Sequence, residues 1–225
     1  MDPIIRTENL GRAFPIVGSD PFWALKDLTI SVPEGKLTIL RGKSGSGKTT
    51  LMNILSALDR PTTGTVFFDG IDLNTQNDTM LSQLRRKNVG FVFQSVALIP
   101  TMSAYENVEF AMRLAGSKVN NHKRVEECLK MVGLGARMTH MPQELSGGEQ
   151  QRVAIARAMA HKPRVIFADE PTAELDTNTG LQVVKIFREL AAADGITFVM
   201  TTHDSSLMEL GDRVYELKDG ELVNE

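Results

Sequence analysis

The chain has 225 residues, 25 lysines and arginines against 28 aspartates and glutamates, and is 42% hydrophobic and 24% charged. This length and balance fit one globular domain, or one with a sizeable insertion, and exclude a disordered or collagen-like chain. A pI near 5.9 gives no global attraction to nucleic acid, and the single cysteine, Cys128, leaves neither an intramolecular disulfide nor a paired-cysteine zinc site.

The first third reads as rich in strands. Apolar or alternating runs at residues 4–10, 28–32, 37–40 and 65–68 are separated by Gly, Pro and Asp turn signals. Between the run at 37–40 and a helical segment at 50–58 stands Gly42-Lys43-Ser44-Gly45-Ser46-Gly47-Lys48-Thr49, which satisfies G-x-x-x-x-G-K-S/T in its strand-to-helix context. Glycines there let backbone N–H groups close on phosphate oxygens, and the helix start at Thr50 adds positive potential. Lys48 is expected to reach the β- and γ-phosphates and Thr49 to offer a hydroxyl to Mg²⁺. We expect a nucleoside triphosphate site.

Further along, Leu84-Arg85-Arg86-Lys87 reads as a solvated face at a helix end, with too few charges for a nucleic-acid groove. The longest uncharged stretch, 88–105, contains Asn88, Gly90, Gln94, Ser95 and Pro100 and is too polar for a membrane span. With no basic segment and apolar run at the start, we expect a cytoplasmic chain without direct membrane insertion. From 104 to 160 the spacing turns helical, with Val108, Met112 and Ala115 on one stripe and Val153, Ile155, Ala156 and Met159 on another, as for an inserted helical part. Val125, Cys128, Leu129 and Val132 share a stripe too, so Cys128 reads as a small core residue.

The remainder alternates strand (165–168), helix (180–192), strand (196–201) and a hairpin turned at Asp219-Gly220, the pattern of βαβ units with parallel strands. Gly42, Gln94, Asp169, Glu170 and His203 each follow an apolar strand, and in open parallel sheets ligands bind beyond the strands' carboxyl ends. Asp169 is then expected to hold Mg²⁺, and Glu170 to orient and deprotonate the water that attacks the γ-phosphate. Leu145-Ser146-Gly147-Gly148-Glu149 opens another helix, either as a plain cap by Ser146 or as a second anion site.

LSGGEQQRVAIARA from Leu145, followed by VIFADEPTAELD ending at Asp176, resembles the signature and magnesium-site segments of the ATP-binding cassette family of transport ATPases, and the likeness extends over essentially the whole chain. The resemblance implies an α/β fold. It would have a P-loop NTPase core with a mostly parallel sheet, an N-terminal antiparallel β part and an inserted α-helical subdomain, with residues 1–94 and 161–225 as catalytic core and 95–160 as the helical unit. It also implies ATP hydrolysis with Mg²⁺, a head-to-tail dimer with a second copy, and integral-membrane permease partners that hold the chain on the inner face of the membrane. By position, Phe14 is similar to the aromatic that stacks on adenine, Gln94 to the group that reaches Mg²⁺ and the attacking water, and His203 to the histidine on the γ-phosphate. Ser146, Gly147, Gly148 and Glu149 would complete the partner's site, and loop 173–176 would cross to it. Phe14 for the commoner Tyr, Arg41 before the phosphate loop, Thr49 for Ser and Glu149 for Gln are departures from the family pattern.

GFVFQSVALIPTMSAYENV, residues 90–108, resembles more narrowly the branch that contains lipoprotein-release, macrolide-efflux and antimicrobial-peptide-resistance ATPases. Within it, Val96, Ala97, Leu98, Ile99, Pro100 and Met102 are expected to divide between docking a permease helix and filling the helical core. His122, His140 and His161 match nothing in the family and are expected at the surface. A chromosome or repair ATPase would need a coiled coil before the signature, and a guanine-reading Asn-Lys-x-Asp segment is absent. An ATP-gated scaffold of a membrane complex, without transport, would carry the same motifs and stays open.

Overall fold

The computed structural model describes residues 3–116 and 122–224. Its first elements are β1 (Ile5–Ile16), β2 (Ser19–Leu28) and β3 (Ser31–Val32). β1 continues past the expected end at Leu10, because a bulge at Gly11 redirects it into a hairpin with β2. Pro15 and Pro21 are tolerated there: β1 has already left its other neighbour at Gly11, and β2 is an edge strand. The expected strand at 28–32 is split in two. Asp27 takes φ +53°, and Thr7 bridges the break, its Oγ1 donating to the Leu28 carbonyl at 2.9 Å and accepting from the Ile30 N–H at 3.0 Å.

β4 (Leu37–Arg41) leads into α1 (Lys48–Leu55); β5 (Thr63–Phe68) and β6 (Ile71–Asp72) form a hairpin. α2 (Asp78–Asn88) is capped by the Asn77 side chain and carries Arg85, Arg86 and Lys87 in its last turn, where they complement the helix dipole. Then follow β7 (Val89–Val92), α3 (Ala104–Leu114), α4 (His122–Met131), α5 (Gly147–Met159), β8 (Val165–Ala168), α6 (Thr177–Asp194), β9 (Thr197–Thr202), β10 (Arg213–Lys218) and β11 (Glu221–Asn224).

Two sheets result. The N-terminal one is antiparallel, in the order β2-β1-β5-β6 with β3 also on β1, and the second runs β11-β10-β4-β9-β8-β7, parallel except for its terminal hairpin. Strand periodicity divides the core. Leu40, Phe167 and Val199 face the antiparallel sheet and α1 with Leu51, Val66 and Tyr215. Their neighbours Ile39, Ile166, Ala168, Phe198 and Met200 face the other way, into one apolar cluster with Phe187 of α6 and with Val108, Cys128 and Val153 of α3, α4 and α5. The mixed α/β architecture is therefore the expected one. Cys128 is fully buried, and burial pushes its thiol pKa up to about 11, so it packs as a hydrophobe. Among the described residues, no helix is long and apolar enough to cross a membrane.

Candidate functional site

β4 lies between β9 and β10 and delivers the chain at Gly42 to the carboxyl edge of the parallel sheet. The loop turns where side chains do not fit: Gly47 has φ +103°, and a Cβ there would lie 2.7 Å from the Ala24 carbonyl oxygen. Lys48 opens α1 with its side chain 6% exposed; its Nζ donates to the carbonyls of Gly42 at 2.7 Å and Lys43 at 3.1 Å. The ammonium is thereby folded over the loop that its own backbone forms.

Facing it, β8 ends in Ala168 and the next residue donates its N–H to the Val92 carbonyl of β7 at 2.9 Å. Asp169 accepts from Thr49 Oγ1 at 3.3 Å and from Thr201 Oγ1 at 2.7 Å. Thr201 also accepts the Glu170 N–H at 2.9 Å. Glu170 has φ +44°, uncommon for a residue with a side chain, and its carboxylate lies between Lys48 Nζ at 3.9 Å and His203 Nδ1 at 3.4 Å. One buried threonine on β9 thus ties the Asp169 carboxylate to the Glu170 backbone.

These groups line an open cleft of about 840 Å³ that runs from Phe14, Phe22 and Ala24 of the first hairpin, along Lys43, Ser44, Gly45, Gly47, Lys48, Thr49 and Thr50, to Gln94, Asp169, Glu170 and His203. Arg12, held by Asp59 through two 2.9 Å hydrogen bonds, covers one face of the Phe14 ring at 4.6 Å. Gly42 and Ser46 shape the loop without lining the cleft. Ser146, Gly147, Gly148 and Glu149 lie outside it, at the start of α5. There Ser146 and Glu149 form a reciprocal capping box, and a Cβ on Gly148 would meet Thr179 of α6 at 2.6 Å. That cap hydrogen bond from the Ser146 backbone holds the Glu149 carboxyl below the usual range.

Phe22, Ala24 and Thr201 were not singled out by the sequence. Reading 19–28 as a strand would have placed Phe22 and Ala24 on one face by their i, i+2 spacing; nothing local marks Thr201. His161 corrects the surface expectation: its Nε2 meets the Val89 carbonyl at 3.1 Å, its Nδ1 is buried without a partner, and burial lowers its pKa. His122 is exposed against Tyr105, and half-buried His140 meets Arg137 at 3.0 Å. Beside Gln94 opens a second, apolar groove of about 430 Å³ between β7, α3 and α5, walled by Phe93, Ile99, Phe110 and Leu114 with Arg86 at its rim. Ala97 and Ile99 face this groove while Leu98, partly buried, packs against the core, so the core-filling expectation holds for Leu98.

A family model described as ABC transporter matches residues 25–173. Over 99% of this chain, 44% of residues are identical to an uncharacterized ABC transporter ATP-binding protein of Methanocaldococcus jannaschii, MJ0796, of which 96% is covered. The macrolide export ATP-binding/permease protein MacB of Agrobacterium fabrum is 44% identical over the whole of this chain, which spans 34% of that protein. Among solved structures, the dimeric post-hydrolysis state of the MJ0796 cassette bound to ADP and Pi superposes with a TM-score of 0.87 at 40% identity, covering 98% of this chain and 97% of that one. The chain belongs to the ABC transporter family, of which it is an ATP-binding and ATP-hydrolysing cassette.

Proposed function

We propose that ATP lies along the cleft with its base on the free face of Phe14, its phosphates in the Gly42–Thr49 loop, and its γ-phosphate between Lys48 and His203. The observation that carries this reading is the single cleft in which an aromatic wall, the glycine loop, Gln94, the two carboxylates and His203 follow one another in nucleotide order. Thr49 and Asp169 are adjacent hard oxygen donors, and among the described residues no cluster of three or more His, Cys, Asp or Glu stands anywhere. That donor set suits Mg²⁺, which keeps waters and phosphate oxygens in its shell, and Gln94 lines the same cleft. When bound, the ion supplies charge neutralisation at the β- and γ-phosphates.

Glu170 takes a proton from the attacking water as its oxygen bonds to the γ-phosphorus, and the bond to the bridging oxygen of ADP breaks. Lys48, beside Glu170 and on the phosphates, stabilises the charge that develops. Gln94 positions the water.

Ser146, Gly147, Gly148 and Glu149 have no place in their own chain's cleft, which supports their completing the site of a second copy at the positive start of α5. The groove beside Gln94 suits a short apolar helix of a membrane permease, and the resulting motor powers export or extraction through it. Residues 1–94 and 161–225 act as the catalytic core in this reading and 95–160 as the helical unit. The chain works at the inner face of the membrane through its partner.

Mixing tests the shared site. Lys48→Ala and Ser146→Ala chains, each inactive alone, are expected to regain activity on mixing, through the one composite site free of both lesions. Failure of any mixture to exceed the separate chains would refute the shared site.

A further inference from the structure

Two hairpins in this chain turn on Asp-Gly, and they stand in opposite surroundings. Asp69-Gly70, between β5 and β6, is exposed, with φ of +50° and +74°, and a Cβ on Gly70 would meet nothing within 4 Å. Asp219-Gly220, between β10 and β11, has nearly the same backbone, φ +52° and +82°, yet Gly220 is buried. A hairpin turn glycine has no need of burial for its own conformation.

Gly220 sits where three segments meet. Its N–H donates to the Ser46 carbonyl of the phosphate loop at 3.2 Å, and its carbonyl accepts the Lys26 N–H of β2 at 2.8 Å. A Cβ there would lie 2.7 Å from the Ala24 oxygen and 3.0 Å from the Ala24 carbonyl carbon, both backbone atoms. Alongside, Lys26 Nζ and Glu221 Oε1 pair at 3.1 Å, and a Cβ on Gly42, at the other end of the loop, would lie 2.4 Å from the Leu217 carbonyl oxygen. The C-terminal hairpin is therefore wedged between the phosphate loop and the strand that carries Phe22 and Ala24.

In a trans peptide the C=O and the N–H that follows it point to opposite sides. Fixing the Ser46 carbonyl towards Gly220 thus turns the Gly47 N–H the other way, and Gly47 lines the cleft. The geometry points to Gly220 as a positioning residue for nucleotide binding: it holds the Ser46–Gly47 peptide plane with its N–H aimed at the phosphates. This inference rests on the cleft's binding nucleotide phosphates. Where such a donor contributes equally to the bound and transition states, its loss raises KM and leaves kcat.

The test measures the affinities of ATP and of inorganic tripolyphosphate by calorimetry, with steady-state kinetics, for wild type, Gly220→Ala and Gly70→Ala. Both variants carry the same backbone strain at positive φ; only the first displaces the turn from the loop. Gly220→Ala is expected to bind both ligands about tenfold more weakly, the effect of one lost hydrogen bond to a charged group. Its rate at saturating ATP is expected within about twofold of wild type, and Gly70→Ala should bind both ligands as wild type does. A folded Gly220→Ala chain with the affinities of Gly70→Ala would overturn the inference. Should Gly220→Ala not fold, amide exchange in the unaltered chain decides. The Gly220 N–H is expected to be protected without nucleotide and further slowed by ATP, and exchange at the unstructured-chain rate in both states would overturn the inference. Wild-type chain that binds neither ATP nor tripolyphosphate would remove the nucleotide site itself and this inference with it.

Discussion

Thr201→Val removes one hydroxyl and keeps the side chain's shape. That hydroxyl donates to Asp169 at 2.7 Å and accepts the Glu170 N–H at 2.9 Å. A hydrogen bond to a charged group is worth about 1.5–3 kcal/mol and a neutral one about 1 kcal/mol. Asp169 is half-buried and keeps Thr49 at 3.3 Å, so the lower end applies and the loss of stability is expected to be about 2.5 kcal/mol. At a urea slope of about 2 kcal/mol/M this moves the unfolding midpoint down by about 1 M. Turnover is expected to fall further than stability alone explains, because Glu170 holds φ +44° against its Thr201 anchor. A misplacement of about 1 Å at the reacting group can cost about a hundredfold in rate. Urea unfolding and phosphate release are measured for Thr201→Val and for Thr201→Ser, which restores the hydroxyl and should restore both. Thr201→Val with the wild-type midpoint and turnover would refute the reasoning.

Two further outcomes follow from the groove and from His161. Leu114, 58% exposed on α3 at the groove, is the site for separating docking from folding. Leu114→Asp is expected to leave ATP hydrolysis and stability unchanged and to abolish copurification with membranes, whereas Leu98→Asp, packed against the core, should lower the unfolding midpoint. Burial depresses the His161 pKa, against a hydrogen bond to the Val89 carbonyl that raises it. The unfolded chain takes up that proton first, so the His161 contribution is present above about pH 6.5 and is lost as pH falls below it towards the folded value. Urea midpoints at about pH 7.5 and about pH 5.5 should therefore converge in His161→Gln relative to wild type.

The chemistry was legible wherever it was written in consecutive residues. Gly42 to Thr49 and Asp169-Glu170 each declare a strand end, a turn and a polar group within one short segment, and the parallel sheet sets them side by side. The wall contributed by Phe22 and Ala24 was hidden because it depends on a bulged hairpin register, Phe14 opposite Phe22, across two prolines and a glycine. Thr201 was hidden for a different reason. It lies 32 residues from Asp169 and reads as one more β-branched residue of a buried strand, its role existing only after β8 and β9 pair. The split of residues 28–32 was likewise invisible, since the side chain that replaces the ladder, Thr7, comes from another strand.

The central claim is that this cleft hydrolyses ATP with Glu170 as its base, and Glu170→Gln tests it most directly. The amide keeps the shape, removes the base and relieves a negative charge facing the triphosphate. ATP binding is expected to persist, with turnover lower by about a hundredfold or more and ATP holding two chains together in size-exclusion chromatography. Glu170→Gln that releases phosphate at the wild-type rate would contradict the account.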